Sequence, residues 1–346
     1  MVGYSLVLSV ALAATSVLAS PLIPTPCASS TTAPTPTTSI PVGKRDPKGL
    51  DSLAKRKKRF VGCAYDVYHI SDVDYTQLVL AQFGQLTPEN SLKWESTEPT
   101  RNNFTLGNGD TLVKIAEKNK IWVTAGNFAK NELISVMKNH IVNVAGHFRG
   151  HIATWDVVNE VFNEDGTFRS TVFHDTIGPE FIDIAFRTAK LADPFATLAI
   201  NDYNIDGLGP KSTAMVNLVK SARSRGVPIE QIGAQAHLVV GTLPTNIREN
   251  WQAFANTGAW VAITEIDIRM PTPPTEASLA QQKADYKTVV NACLAVSRCV
   301  GVTVWGATDK YSWVPDVFDG EGAACPYDEN LKPKPAYYGM VEAFKA

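Results

Sequence analysis

From Phe60 onward the chain alternates between short apolar runs and longer stretches whose apolar residues recur every three or four positions. Short apolar runs rich in β-branched and aromatic residues read as buried strands, and the 3.6-residue period reads as helix. Strands are predicted at Phe60–Tyr65, Phe83–Leu86, Ile121–Ala125, Ile152–Val158, Leu198–Asn201, Ile232–Leu238, Val261–Ile268 and Val302–Gly306. Between them lie helical patterns at Tyr75–Gln82, Asp110–Lys120, Glu132–Phe148, Phe181–Leu191, Ser212–Arg225, Ile247–Phe254 and Leu279–Val296, with a last one near Ala336–Phe344. Regular alternation of this kind predicts an α/β protein, a (β/α)8 barrel. An open doubly wound sheet is the alternative, and the lack of a GxGxxG or P-loop after the first strand counts against it.

The first residues follow another pattern. Met1–Ala19 has an apolar run from Leu6 to Ala14 and a small-residue exit at Val17-Leu18-Ala19, which reads as a secretory signal without the usual positive charge. Residues 20–47 are rich in Pro, Thr and Ser and cannot bury a core, so they read as a flexible linker or propeptide. Lys44-Arg45 reads equally as a processing site or a solvated pair. Residues 48–346 then form the catalytic domain. Leu50–Arg59 is a basic helical lead-in, and its run Lys55-Arg56-Lys57-Lys58-Arg59 reads as a solvated face.

Composition narrows the function classes. The chain has 346 residues, 19% of them charged, and a net charge of −2. That leaves room for a large core and gives no electrostatic reason to expect nucleic acid or an anionic membrane as partner. No later stretch is long and apolar enough to span a bilayer. A soluble, extracellular monomer is the expectation. In an oxidising compartment the five cysteines can pair. Cys293 and Cys299 flank a short helix-to-strand link and are the expected disulfide. Cys27, Cys63 and Cys325 are not paired by the sequence, and an odd count leaves a free thiol or an intermolecular bridge. No CxxC or HxxxH spacing suggests a metal, and no cofactor is expected.

Two apolar strands end in acids, and this is where chemistry enters. Ile152–Val158 runs into Asn159-Glu160, and Val261–Ile268 carries Glu265 and Asp267. A carboxylate beside a core is costly without a purpose, and barrel enzymes present catalytic groups at strand ends. Paired carboxyls suggest glycoside cleavage, with a retaining mechanism at a separation of about 5–5.5 Å. Asp267 shares a strand face with Glu265, and His237 on the preceding strand is placed to bridge them. Thr87-Pro88-Glu89-Asn90-Ser91-Leu92-Lys93-Trp94 offers donors and acceptors after another strand. Trp305 and Trp313 suit the flat faces of sugars, and Asn201-Asp202-Tyr203-Asn204 adds polar groups to the rim. Asn103-Phe104-Thr105 is a glycosylation sequon.

Taken together, WDVVNE, TPENSLKWE, AINDYN, QAH, ITEIDIR and VWGATDKYSW resemble family 10 of the glycoside hydrolases, the endo-1,4-β-xylanases, from about Phe60 to Lys345. The resemblance implies a (β/α)8 barrel acting on xylan with retention. It implies that Glu160 is the acid/base, Glu265 the nucleophile, and Asn159 the ligand of the sugar 2-hydroxyl. Gln235 and His237 match cleft residues around the nucleophile, and Trp305 and Trp313 match the aromatic walls. Glu89, Asn90 and Lys93 match glycone-side binders, and Tyr203 the aglycone side.

One departure stands out. The family's third strand and loop carry a Gly-His-Thr-Leu-Val-Trp-His-like stretch, whereas here Lys118-Asn119-Lys120 leads almost directly into Ile121–Phe128. The third strand is therefore read as truncated. A closed barrel needs every strand to have two neighbours, so Ile121–Ala125 should slide into the vacated place, in a region less ordered than the rest. The alternatives are an impaired or non-catalytic xylan-binding barrel and a β-1,4-glucanase.

Overall fold

Eight parallel strands close on themselves. They are β1 (Phe60–Ala64), β2 (Gln85–Thr87), β3 (Trp122–Gly126), β4 (Thr154–Asn159), β5 (Thr197–Asp202), β6 (Gln231–Ala234), β8 (Trp260–Pro271) and β9 (Cys299–Val304). Strand β9 pairs with both β8 and β1, which completes the barrel. Two short strands lie outside it, β7 (His237–Val239) and β10 (Glu321–Gly322), each paired with β8. This is a computed structural model, and it describes residues 40–126 and 131–346. The expected signal segment, most of the Pro/Thr/Ser-rich stretch and Cys27 lie outside the described residues.

The expected repair of the third strand is present. Trp122 and Val123 pair with Gln85 and Leu86 of β2, while Thr124, Ala125 and Gly126 pair with Thr154, Trp155 and Asp156 of β4. Residues 127–130, within the segment where reduced order was expected, lie outside the described residues.

Two predicted strands are placed differently. Ile232–Leu238 is two elements, because Ala236 takes a left-handed φ of 63° and turns the chain between β6 and β7. The last strand starts earlier, at Cys299, and stops at Val304, ahead of Gly306 at φ 91°. At the other end, Ile40 packs against the core and the Asn119 side chain donates to the Pro41 carbonyl at 2.9 Å. Ile40–Ala346 forms one unit.

The strands have two unlike faces. One packs Leu86, Val123, Trp155, Ile200, Ile232 and Ile263 into the buried hydrophobic cluster with the surrounding helices. The other faces a small polar lumen that includes Gln85, Thr154, Asp156, Asn201, Thr264 and Thr303. Buried polar groups must find partners there. Thr303 donates to Gln85 at 2.9 Å, Gln85 to Thr87 at 2.7 Å, and Thr264 to Asn201 at 2.6 Å. Glycine makes room for this network: a Cβ on Gly233 would stand 2.4 Å from the Asn201 side chain. The lumen carries hydrogen bonds upward to the carboxylates. No helix among the described residues is long and apolar enough to cross a membrane.

The Cys293–Cys299 disulfide is formed, joining the end of helix Glu276–Ala295 to the first residue of β9. Cys63 and Cys325 are buried free thiols. A cross-link over a sequence separation of 6 restricts the unfolded chain. Replacing both cysteines by alanine is expected to cost about 2 kcal/mol, read as a lowered midpoint in urea. An unchanged midpoint would contradict this.

Candidate active site

The C-terminal ends of β4, β5, β6 and β8 bring the polar groups together. Glu160 follows Asn159 directly, with a left-handed φ of 57°, and its backbone N–H donates to the Asn201 carbonyl at 2.8 Å. A non-glycine residue held there is strained, and such strain gathers at functional sites. Here it aims the carboxyl into a cleft of about 1160 Å³ instead of letting β4 continue. Arg169 donates to Glu160 Oε2 at 2.6 Å, and Gln235 donates to Oε1 at 3.3 Å.

Glu265 lines the same cleft. The β8–β9 register shifts between Ile263 and Ile266, which frees the backbone around Glu265 from regular pairing with β9. Its N–H is taken by the Gln235 carbonyl at 3.0 Å. Asn201 donates to Glu265 Oε1 at 2.8 Å and also to Asn159 Oδ1 at 3.0 Å. The two glutamates are thus joined by a chain of amides, Gln235, Asn159 and Asn201, all within hydrogen-bond reach.

The left-handed turn at Ala236 re-aims His237 into this network. Its Nδ1 lies 2.9 Å from Asp267 Oδ2, and its Nε2 lies 3.2 Å from Glu265 Oε2. Burial works against the charged ring, but Asp267 and Glu265 outweigh it and lift the imidazole to about 10. That lift favours the charged imidazolium at neutral pH. Trp313 Nε1 donates to Asp267 Oδ2 at 2.7 Å, and the Trp313 and Trp305 rings lie 5.0 and 6.5 Å from that of His237. Both indoles line the cleft.

Lys93 lines the same cleft, and Glu89 lines the lumen beneath it. Lys93 donates to Asn90 at 2.9 Å, and Asn90 donates to the Tyr68 hydroxyl at 3.1 Å. Glu89 accepts from that hydroxyl and faces His69 at 3.4 Å. Tyr203 lines the cleft with the ammonium of Lys211 over its ring, 3.4 Å from the centroid. Asn103 is exposed in a turn away from the cleft.

Several groups that line the cleft were not singled out by the sequence. Lys211 is buried between Asp202 at 3.1 Å and Glu164 at 3.2 Å. Arg169 reaches Glu160 because residues 163–168 fold back on themselves, with Asn163 N–H donating to the Thr167 carbonyl at 2.8 Å. The Asp165-Gly166 pair, a turn signal, could have revealed that return. Asp206 lines the cleft while buried, and burial pushes its carboxyl up to about 7.

Asp156 is an acid of the lumen itself. It projects into the lumen beneath Glu265, and its Oδ1 has no hydrogen-bond partner. Burial, reinforced by Glu265, pushes it up to about 8. Its neutral form favours the fold, so its contribution is complete below the ordinary value of 3.8 and is lost as pH rises toward about 8. Asp156→Asn removes that equilibrium and keeps the shape. The variant is expected to exceed the parent by about 2–4 kcal/mol near pH 8 and to converge with it in acid. Urea unfolding across that range checks this, and parallel stability curves would contradict it.

With that geometry in place, comparison with known proteins decides the family. The family model for glycosyl hydrolase family 10 matches residues 49–343. The chain belongs to that family. It is a glycoside hydrolase with the (β/α)8 barrel seen in its family 10 relatives. An endo-1,4-beta-xylanase of Agaricus bisporus is 50% identical to this family 10 chain over 313 residues, which is 85% of this chain and 94% of that protein. The native xylanase 10B of Thermotoga maritima superposes with a TM-score of 0.83 at 36% identity, covering 86% of this chain and 98% of its own. The xylanase 10B of Thermotoga petrophila RKU-1, solved with xylobiose, gives 0.83 at 35% identity, covering 86% and 97%.

Proposed function

We propose that this family 10 hydrolase is an endo-1,4-β-xylanase that cuts internal bonds of xylan with retention of configuration. The observation that carries this reading is the pair Glu160 and Glu265 in one cleft, linked through Gln235, Asn159 and Asn201. In the first step the Glu265 carboxylate attacks the anomeric carbon while Glu160 gives its proton to the departing glycosidic oxygen. This leaves a glycosyl ester on Glu265 and a free sugar hydroxyl. In the second step Glu160, now a carboxylate, takes a proton from water, whose oxygen displaces Glu265.

The neighbours support these roles. His237, held by Asp267, fixes the face that Glu265 presents to the cleft. Asn159 supplies an amide for the 2-hydroxyl of the sugar at the cleavage point. Glu89, Asn90 and Lys93 bind hydroxyls on the glycone side, Tyr203 stands on the aglycone side, and Trp305 and Trp313 stack on ring faces. Arg169 donates to Glu160 Oε2, so proton transfer proceeds at Oε1 or after that contact opens.

Initial rates of reducing-sugar release from xylan and from carboxymethyl cellulose test the assignment. Preference for xylan supports it, and faster release from the cellulose derivative would make the chain a β-1,4-glucanase. Binding without turnover would make it a non-catalytic barrel. The reading also includes export through residues 1–19, a glycan on Asn103 and a monomeric protein. Intact mass of the secreted chain tests the first two.

A further inference from the structure

The barrel end opposite the catalytic cleft carries another concavity, of about 500 Å³, lined by residues at the starts of the strands. The basic run that precedes β1 ends there. Lys55, Lys58, Arg59 and Lys120 line it, and Asp51 is the one acid among its described lining residues. Asp51 is engaged by Lys55 at 2.8 Å. Among the described residues no carboxylate pairs with Lys58, Arg59 or Lys120. The Arg59 guanidinium meets carbonyls only, those of Lys57 at 3.4 Å, Lys58 at 3.1 Å and Val296 at 3.3 Å, and its Nε is buried without a partner. Trp260 lines the same cavity and is 45% exposed, with Arg298 placed 5.0 Å from its ring centroid.

The backbone gives an independent sign. Lys58 and Lys120 both hold a left-handed φ of 55°, each just past a helix end. Their N–H groups donate to the carbonyls of Lys55 and Glu117 at 3.0 and 3.1 Å. The next N–H groups, of Arg59 and Ile121, reach back to Ala54 and Ala116 at 3.1 and 2.8 Å. After helix Pro210–Ser224 the same two bonds are made by Gly226, at φ 70°, and Val227. Glycine is the residue that such a helix end takes without steric cost. This chain places lysine at two of these ends, and both lysines line one cavity.

We propose that this floor pocket is a non-catalytic carbohydrate site for a uronate, a sugar ring that carries a carboxylate. The unpaired cations meet the carboxylate through charge-assisted hydrogen bonds, and the indole of Trp260 receives the apolar face of the ring. A phosphate would use the cations and leave the indole idle. The ligand is either a free hexuronic acid or a uronate unit within a polysaccharide.

Calorimetric titration of the full chain at low ionic strength tests this, with glucuronic acid, xylose, inorganic phosphate and a uronate-bearing oligosaccharide as probes. The Lys58→Gly/Lys120→Gly double variant is measured beside it. The expected result is saturable binding of glucuronic acid that weakens about tenfold or more in the double variant, with any xylose binding equal in the two proteins. The variant should melt at a higher temperature and hydrolyse short xylo-oligosaccharides at the parent rate, which separates lost binding from misfolding. Tighter binding of the oligosaccharide than of the free acid points to the polymer-borne source, and equal binding points to the free acid. Equal uronate affinity in parent and variant, or phosphate binding as tightly as the uronate, would overturn the proposal.

Discussion

Glu265→Ala is expected to lower xylan hydrolysis by on the order of 10⁵-fold, because the carboxylate that forms the glycosyl ester is gone. Asn201 and His237 both point at the lost carboxylate and would be left facing an empty space. The fold should survive, since His237 keeps its contact with Asp267 and Asn201 keeps those with Asn159 and Thr264. The space is the size of a small anion. Added azide is therefore expected to attack the anomeric carbon in place of Glu265 and give a glycosyl azide of inverted configuration. Rate measurements beside a thermal melt distinguish chemistry from unfolding. An unchanged rate would remove Glu265 from the mechanism.

Glu160→Ala should separate by leaving group. On xylan the departing alkoxide needs a proton, and a loss of about 10³-fold is expected. On an aryl xylobioside with an acidic phenol the first step needs little protonation, so ester formation should stay fast. The second step then loses its base and the ester accumulates, visible as a burst of phenol followed by slow turnover. Azide should restore turnover here with retained configuration, the opposite outcome to that at Glu265. Equal losses on both substrates would contradict the acid/base role. Arg169, freed of its carboxylate partner, would still face Tyr203, 5.6 Å from the ring centroid, so gross collapse of the site is not expected.

What the sequence reveals about this fold depends on the range of the signal. Periodicity places eight strands because each buries an apolar face against helices, a local property of every run. It does not report the opposite face, where Gln85, Thr154 and Thr303 build a polar lumen from positions that read as breaks in an apolar run. The division between β6 and β7 was missed because a left-handed alanine carries no residue signature, unlike glycine. Ile121–Ala125 was legible as a strand, and barrel closure named its neighbours β2 and β4; the residue-by-residue register, with Trp122 opposite Gln85 and Thr124 opposite Thr154, was not legible.

The site divides in the same way. Glu160, Glu265, His237 and Asp267 were legible because charged residues at the ends of apolar strands demand an explanation. Arg169 and Lys211 were not, because a cation in a polar stretch reads as solvated. Only the folded-back turn before Arg169 and the pocket between Asp202 and Glu164 give them roles. The run around Lys58 reads as solvated for the same reason, and its place on the barrel floor comes from topology.

The most direct test of the double-displacement account is to trap its intermediate. A 2-fluoro-xylobioside with a good leaving group slows both steps, and the second more when the leaving group is activated. Incubation with the full chain, proteolysis and peptide mass spectrometry then locate the sugar. The account predicts one added fluoroxylobiosyl group per chain, esterified to Glu265. A label on another residue, or none together with products of inverted configuration, would contradict it.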